Sequence, residues 1–351
     1  MYNELIKKIL ESVDESLILT ETYPKFSGEG YKACKIDINN FHQITKSNSG
    51  KKIAFVDGGN AEIIGSSNFS LNLIRVSCVI YQYNKKIKLE KLEFFAFINT
   101  ANNNDEIYYK VSFYGAKNSN FSDKNFLNEM SFNSFDHTLM LGINRAEISS
   151  VANAIRRFAE LRMAKIASER GDFCNIIVLD GNLQSTLTNE NKYLNGLHES
   201  CSRNNVILTA LSKTTSLFTD NGNLLSVVLD NISNFPSWYY YPIAEINSLN
   251  HKAEMFFVKF HEKSKHIFRF EIFNEQKEKA EETINTLANY CVDPIFIGYP
   301  YGLVEADRIA RASNNEKGSL KTMLLVKLRN KNIEKYLSSV NAHEILDKIS
   351  F

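Results

Sequence analysis

The sequence predicts an α/β protein in which helices flank a mixed β-sheet. Two apolar stretches, Ile53–Val56 and Ile176–Leu179, each run directly into an Asp-Gly pair, as expected where a buried strand meets a turn. Stretches rich in β-branched and aromatic residues follow the first one with short polar connections, which favours antiparallel neighbours. A long amphipathic pattern over residues 145–169 precedes the second, and a helix that enters a strand beside earlier strands is typical of this class.

The composition indicates a globular protein without a general affinity for polyanions. Apolar residues make up 44% of the 351 residues and the formal net charge is +1, so any binding of nucleic acid must use a local groove. The cysteines form no Cys-X-X-Cys pair, and the histidines lack the spacing of a zinc site. Since there is neither an apolar signal segment nor an apolar run of about 18 residues, we expect a cytoplasmic protein with no membrane partner.

The first half of the chain is predicted to contain a helix, a loop and several strands. Apolar residues at helical spacing predict an amphipathic helix over residues 3–20, which either packs on its own domain or serves as a docking or dimerisation element. The polar residues 21–50 predict a loop. Strands are expected at 53–57, 72–81, 87–99 and, in a peripheral segment, 107–114. Gly58 and Gly59 are expected to turn the chain sharply out of the first strand.

The second half is predicted to alternate between helices and strands. After the helix over 145–169 and the strand to Asp180, we expect a helix near 192–203, a strand at 205–212, paired strands at 253–261 and 266–273, a charged helix at 275–290, and a last long helix opening at Tyr299-Pro300. The aromatic cluster Phe235–Tyr241 is expected to pack in the core or at an interface, with stacking on nucleobases as the alternative.

Four carboxylates are candidates for one site: Asp57, Glu160, Asp180 and Asp307. Two follow core strands and two lie on helices, and hard divalent cations prefer such oxygen ligands. A set of this kind can hold two ions about 3.5–4 Å apart, the geometry that serves phosphodiester hydrolysis. Lys213, at a neighbouring strand end, is a candidate to hold a phosphate.

Each of these residues also has a purely structural interpretation. The Asp-Gly pairs can simply form turns, and Glu160 can be a salt-bridge partner of Arg156 or Arg157 at helical spacing. Asp307 can favour the positive end of its helix, Tyr299 can be a core aromatic, and Lys213 can be an ordinary exposed lysine.

The order and spacing of several short motifs resemble the NurA family, nucleases of DNA end resection. The resemblance runs from about residue 50 to 325. The matching motifs are Val56–Gly59, Arg157–Glu160, Leu179–Leu183, Leu211–Thr214, Phe257–Phe260, Phe268–Phe270, Gly298–Pro300 and Ala306–Asp307.

The resemblance implies a ribonuclease H-like mixed sheet, with three antiparallel strands first and parallel strands after them, flanked by helices and preceded by an N-terminal helix. It implies a deoxyribonuclease that degrades DNA from 5′ to 3′ and cuts single strands, using Mn²⁺, with Mg²⁺ also possible and two ions per site. Asp57, Glu160 and Asp180 would bind metal and Tyr299 would lie in the active site. The partners would be a second copy of the chain and a hexameric translocase of the HerA type.

One residue departs from the family pattern. The family usually has His where Asp307 stands, eight residues after the tyrosine, although Asp is also a competent ligand. The chain is predicted to divide into an N-terminal helix and loop (1–50), a nuclease domain (51–325) and a C-terminal helical tail (326–351). Two other functions are open: a nuclease directed at RNA on the same fold, and a non-catalytic or weakly active subunit that binds DNA or docks the motor.

Overall fold

The first half of the chain supplies the antiparallel part of the fold. The structure is a computed structural model that describes residues 2–14, 22–115 and 130–328. The early elements are α1 (Tyr2–Asp14), β1 (Pro24–Lys25), β2 (Tyr31–Ala33), β3 (Phe41–Gln43), β4 (Ile53–Gly65), β5 (Phe69–Gln82), β6 (Lys85–Asn103), β7 (Glu106–Tyr114) and β8 (Met130–Asn133). Alternating buried and exposed residues in β6 fit a strand with one face on the core.

The second half supplies the parallel pairings of the sheet, further antiparallel strands and the helices that cover the sheet. Its elements are α2 (Ile148–Glu169), β9 (Ile176–Asp180), α3 (Glu190–Arg203), β10 (Ile207–Ser212), β11 (Phe218–Thr219), α4 (Leu225–Ile232), β12 (Trp238–Tyr240), β13 (Ala244–Ile246), β14 (Ala253–Lys259), β15 (Phe268–Phe273), α5 (Ala280–Leu287), α6 (Tyr301–Ala310) and α7 (Asn314–Leu328).

One large mixed sheet organises these elements. Among the described residues it has eleven strands, in the order β3-β12-β14-β15-β10-β9-β4-β5-β6-β7-β8. The strands β4, β5 and β6 are antiparallel, whereas β9 is parallel to both β4 and β10. The predicted fold class, a ribonuclease H-like mixed sheet flanked by helices, is therefore confirmed.

Helices cover both faces of the sheet. On one face, Ala54 and Val56 of β4 belong to the same apolar cluster as Phe158 of α2 and Leu197 of α3. On the other face, Phe55 packs in a cluster with residues of α5 and α6. Because successive side chains of a strand point to opposite faces, β4 must be apolar at every position between the two layers. This explains why its sequence shows a continuous apolar run rather than an alternation.

The predicted exit of the chain after Asp57 is wrong. The strand β4 continues through Gly58 and Gly59 to Gly65, and Asp57 lies within it. The two glycines instead admit close neighbours on opposite faces. A Cβ at position 58 would lie 2.6 Å from Oε1 of Glu160, and one at position 59 would lie 2.5 Å from the backbone oxygen of Ala310.

Other predictions needed correction where tertiary pairing decides the structure. Residues 22–50 are not only loop, because β1, β2 and β3 pair with β11, β13 and β12. The charged helix at 275–290 is a short α-helix between 3₁₀ turns, and the last long helix is two helices, α6 and α7. The cluster around Trp238 is buried core, as predicted, and does not offer a stacking surface.

Two predicted segments fall partly outside the description. Residues 15–20 of the predicted N-terminal helix and most of the predicted tail, 329–351, lie outside the described residues. No helix in the described parts of the chain is long and apolar enough to span a membrane.

Candidate active site

Two aspartates lie side by side at the centre of the sheet. The strands β4 and β9 are parallel, and their last registered pair is Val56 with Leu179. The next residues on the two strands are Asp57 and Asp180. Beyond Asp180, Gly181 has a φ of +108°, a conformation that favours glycine and turns the chain away from the sheet. The Asp-Gly turn that the sequence predicts is therefore present at position 180 but not at position 57.

Asp57 is a buried carboxylate with one unsatisfied oxygen. Asp57 is only 3% exposed. Its Oδ1 accepts a hydrogen bond of 2.7 Å from the backbone N–H of Gly58. Its Oδ2 has no hydrogen-bond partner among the described residues. Burial, followed by the negative charges of Asp180 and Glu160, raises the pKa of Asp57 from 3.8 to about 8, against the opposing effect of Lys213.

Glu160 reaches the same region from α2. It is buried beside Gly58, and two arginines of its own helix hold it: Arg156 makes a short contact with Oε1, and Arg157 lies 3.8 Å from Oε2. Burial raises the pKa of Glu160, while both arginines act in the opposite direction. The salt bridges that the structural interpretation predicted are therefore present, but on a buried carboxylate within the cleft rather than on an exposed helix face.

Lys213 and Tyr299 hold Asp180 in place. Lys213 Nζ lies 2.6 Å from Asp180 Oδ2, and the Tyr299 hydroxyl donates to Asp180 Oδ1 at 3.3 Å. Tyr299 is fully buried, with its ring stacked on Phe296, and burial followed by the charges of Asp180 and Asp57 raises its pKa. Burial lowers the pKa of Lys213, but the carboxylates around it, with Asp180 first, raise it overall.

Asp307 lies at the edge of this group. Its Oδ1 is 3.9 Å from Lys213 Nζ, and its Oδ2 is 2.8 Å from Arg311, one turn further along the chain. It occupies the second half of α6, so it does not stabilise the positive end of that helix. The structure thus brings all six predicted site residues to one region, with Asp307 the most peripheral of them.

The carboxylates open onto a cleft of about 630 Å³. Asp57, Glu160 and Asp180 line it together with Lys213 and Arg157. Glu190, which sequence reasoning missed, also lines the cleft; it is buried and accepts hydrogen bonds from Arg157 Nε at 2.8 Å and from two backbone N–H groups. Nothing in its local sequence distinguishes it from an ordinary first-turn glutamate of a helix.

The residues fit a divalent cation in chemistry and in charge. The unsatisfied Oδ2 of Asp57 and its raised pKa show an excess of buried negative charge that a bound cation would relieve. The described residues nevertheless contain no preformed group of three or more His, Cys, Asp or Glu ligands. Lys213 on Asp180 and Arg156 on Glu160 contact oxygens that an ion would use, so a bound ion would share those oxygens with these side chains or displace them.

Comparison with known protein families gives a match within this chain. The NurA domain family model matches residues 193–312. This segment of the chain is similar to the NurA domain. The predicted resemblance is thereby confirmed, and the matched segment includes Lys213, Tyr299 and Asp307, whereas Asp57, Glu160 and Asp180 precede it.

Solved structures extend the likeness beyond the matched segment of the NurA domain. The NurA nuclease of Sulfolobus solfataricus superposes with a TM-score of 0.52 at 13% sequence identity, covering 94% of this chain and 97% of that one. Weaker matches are endonuclease V of Ciona intestinalis in complex with DNA (TM-score 0.36, 12% identity, 80% and 92% coverage) and the catalytic domain of human endonuclease V (0.37, 10%, 80% and 92%). No curated protein matches the sequence.

Proposed function

We propose that this protein is a metal-dependent deoxyribonuclease that hydrolyses phosphodiester bonds. One observation carries the proposal: a buried carboxylate, Asp57, has an unsatisfied oxygen beside Asp180 and Glu160 in an open cleft. A cluster of this kind is costly unless it binds a cation. The NurA domain and the fold shared with the Sulfolobus NurA nuclease support the substrate class.

The proposed roles follow from position. Asp57, Glu160, Asp180 and Asp307 would hold Mn²⁺, or Mg²⁺, through hard oxygen ligands, with two ions per site. When bound, such ions supply an activated water and neutralise the leaving oxygen. Lys213, released from Asp180, would contact the phosphate, and Tyr299 is a positioning residue because its hydroxyl donates to Asp180 from a buried ring.

The activity is tested with labelled single-stranded and duplex DNA in a titration of Mn²⁺. We expect degradation by the wild-type protein and a loss of at least 100-fold in Asp57→Asn and Asp180→Asn. Asp172→Asn, which changes an exposed aspartate outside the cleft, is the matched control. Digestion by either site variant at the wild-type rate would refute the assignment. End-labelled duplexes test the proposed 5′ to 3′ direction, and circular single strands test endonuclease activity.

A second candidate function rests on the ion pairs of the cleft. Lys213 and Arg156 already neutralise Asp180 and Glu160, which favours a weakly active subunit that binds DNA without cutting it. Isothermal titration with Mn²⁺ separates the two functions, because a catalytic site must bind the ion at millimolar concentration or below. RNA and RNA–DNA hybrids offered as competitors test the third possibility, a nuclease directed at RNA.

We also propose the partners that the family resemblance implies, a second copy of the chain and a HerA-type hexameric translocase. Helix α1 supports a docking role, since Leu5, Ile6 and Leu10 are each more than half exposed. Deletion of residues 1–20 is expected to abolish binding to the translocase while leaving thermal stability unchanged. A fall in stability would show that the helix belongs to the core of the proposed nuclease domain, residues 51–325. Sedimentation of the full chain tests dimerisation.

A further inference from the structure

A second cleft adjoins the carboxylate cleft. It has a volume of about 580 Å³, within the range of small-molecule sites. Asn182, Gln184, Ser212 and Thr214 line both clefts, so the two meet where β9 and β10 end and the chain leaves the sheet. If a DNA strand bound with one phosphate at Asp180 and Lys213, its neighbouring nucleotide would therefore lie next to the second cleft.

The charge of the second cleft differs from that of the first. Its lining includes Lys25, together with Arg269, whose guanidinium is paired with the buried Glu271, and no aspartate or glutamate among the described residues. Serine and threonine hydroxyls and the amides of Asn182 and Gln184 provide the rest of its polar surface. This surface suits a phosphodiester backbone and the edge of a base, whereas the carboxylate cleft repels an anion in the absence of metal.

An aromatic pair forms one wall of the second cleft. Phe26 and Tyr31 are stacked with ring centroids 4.8 Å apart and planes within 7° of each other. Both side chains are half-buried, and Gly28 lies beside the Tyr31 ring, where an added Cβ would stand 3.5 Å from Cε2. Flat aromatic side chains beside a cationic groove are the elements with which proteins bind unpaired bases.

The pair is fixed from behind by buried polar groups. The Tyr31 hydroxyl is 2.8 Å from Nδ1 of His251, and His251 Nε2 lies 3.2 Å from Oε2 of Glu271, both side chains being fully buried. The same Glu271 oxygen accepts the backbone N–H of Leu183 at 2.7 Å. The Glu271 carboxylate therefore lies between the aromatic wall and the loop that follows Asp180, in contact with His251 on one side and with Leu183 on the other.

We propose that this second cleft binds an unpaired nucleobase of the DNA strand whose phosphate lies at Asp180, with Phe26 and Tyr31 as the stacking wall and Lys25 on the adjoining phosphate. The inference rests on the proposed nuclease function. It deepens that function by requiring the strand to be single-stranded where it enters the second cleft, because a base stacked on this wall cannot remain paired with its complement.

The test measures strand binding without chemistry. In EDTA, the affinity of fluorescein-labelled oligo-dT for the full-length protein is compared among wild type, Phe26→Leu and Tyr31→Leu, with Tyr114→Leu, an exposed tyrosine of β7, as the control. Stacking contributes about 1–3 kcal/mol per base, so we expect affinity to fall about 5- to 100-fold in the two wall variants and to be unchanged in the control. A covalently closed circular duplex, which presents no unpaired bases, should bind all four proteins alike.

The failures of the two proposals are distinguishable. Bis(p-nitrophenyl) phosphate, a small diester that has no base, reports the carboxylate cleft in Mn²⁺. If the wild type hydrolyses neither this diester nor DNA, the nuclease function is wrong, while the EDTA binding data still judge the second cleft. If folded Phe26→Leu and Tyr31→Leu bind oligo-dT within twofold of wild type, the cleft does not bind bases. If Tyr31→Leu unfolds, Phe26→Leu alone decides.

Discussion

Asp57→Asn is expected to stabilise the metal-free protein while destroying its activity. At pH 7 the folded protein keeps Asp57 protonated because its pKa is about 8, whereas an unfolded aspartate with a pKa of 3.8 has released its proton. About 3 pKa units separate pH 7 from the unfolded value, and each unit is worth about 1.4 kcal/mol. Ionisation therefore favours the unfolded wild type by up to about 4 kcal/mol.

Asparagine removes this ionisation free energy, because it does not titrate, and it keeps the shape of the side chain. Its oxygen can still accept the N–H of Gly58, and its NH₂ group would take the place of the unsatisfied Oδ2 without placing a negative charge near Asp180 and Glu160. We expect the free energy of unfolding in EDTA at pH 7 to rise by about 2–4 kcal/mol, the lower figure allowing Lys213 to turn towards Asp57 in the wild type.

The pH dependence gives the decisive measurement. Because the folded pKa lies above the unfolded one, wild-type stability is complete below about pH 4 and is lost as the pH rises through about 8. Urea unfolding in EDTA should therefore show the advantage of the variant shrinking to below about 1 kcal/mol at pH 4. Mn²⁺ should stabilise the wild type but not the variant. A variant less stable than wild type at pH 7, with Asp172→Asn unchanged, would refute the reasoning.

Three further outcomes are expected from other parts of the structure. Neither ring nitrogen of His198 has a hydrogen-bond partner among the described residues, and burial lowers the pKa of His198 to about 4, so wild-type stability should fall by up to about 3 kcal/mol between pH 6.5 and 4. His198→Phe should remove that loss in acid unfolding curves. Gly59→Ala should lower the free energy of unfolding by about 1–3 kcal/mol, since its Cβ would meet the Ala310 oxygen; a neutral effect in urea would contradict the close approach. Lys213→Met should lower the melting temperature in EDTA, because Asp180 loses its cation, and added Mn²⁺ should restore it; equal melting in EDTA would exclude that ion pair.

The local sequence pattern was sufficient to predict the strands that are buried on both faces of the sheet. The apolar runs at Ile53–Val56 and Ile176–Leu179 could be interpreted as core strands because they are short, rich in β-branched residues and followed by Asp-Gly, as expected of strands buried on both faces. The helix α2 was evident from its periodicity, with its first turn three residues later than predicted. The strands β1–β3 were missed because they are two or three residues long and exist only through their pairing partners.

The candidate site, too, could be predicted only in part: its residues could be named from the sequence, but their contacts could not. The residue types of Asp57, Glu160, Asp180, Lys213 and Tyr299 pointed to one region before the fold was known, and the structure places them there. The spacing could not show that Arg156 and Lys213 already pair with two of the carboxylates, because an ion pair depends on which side chains share a buried volume. The buried Glu190 and Glu271 were missed for the same reason. Besides near neighbours, Glu190 pairs with Arg157, and Glu271 contacts His251 and the backbone N–H of Leu183, all of them far along the chain.

The sequence by itself predicted the α/β class from its helical and strand periods and offered the four carboxylates as candidates from their residue types, since short windows carry both signals. The role of Gly58 and Gly59 was decided only by the tertiary structure. They continue β4 and admit Glu160 on one face and the end of α6 on the other, which no turn propensity can indicate. The burial that raises the pKa of Asp57, and the aromatic wall beside it, likewise arise from distant segments packed into one frame, because burial and electrostatic coupling depend on distances in space.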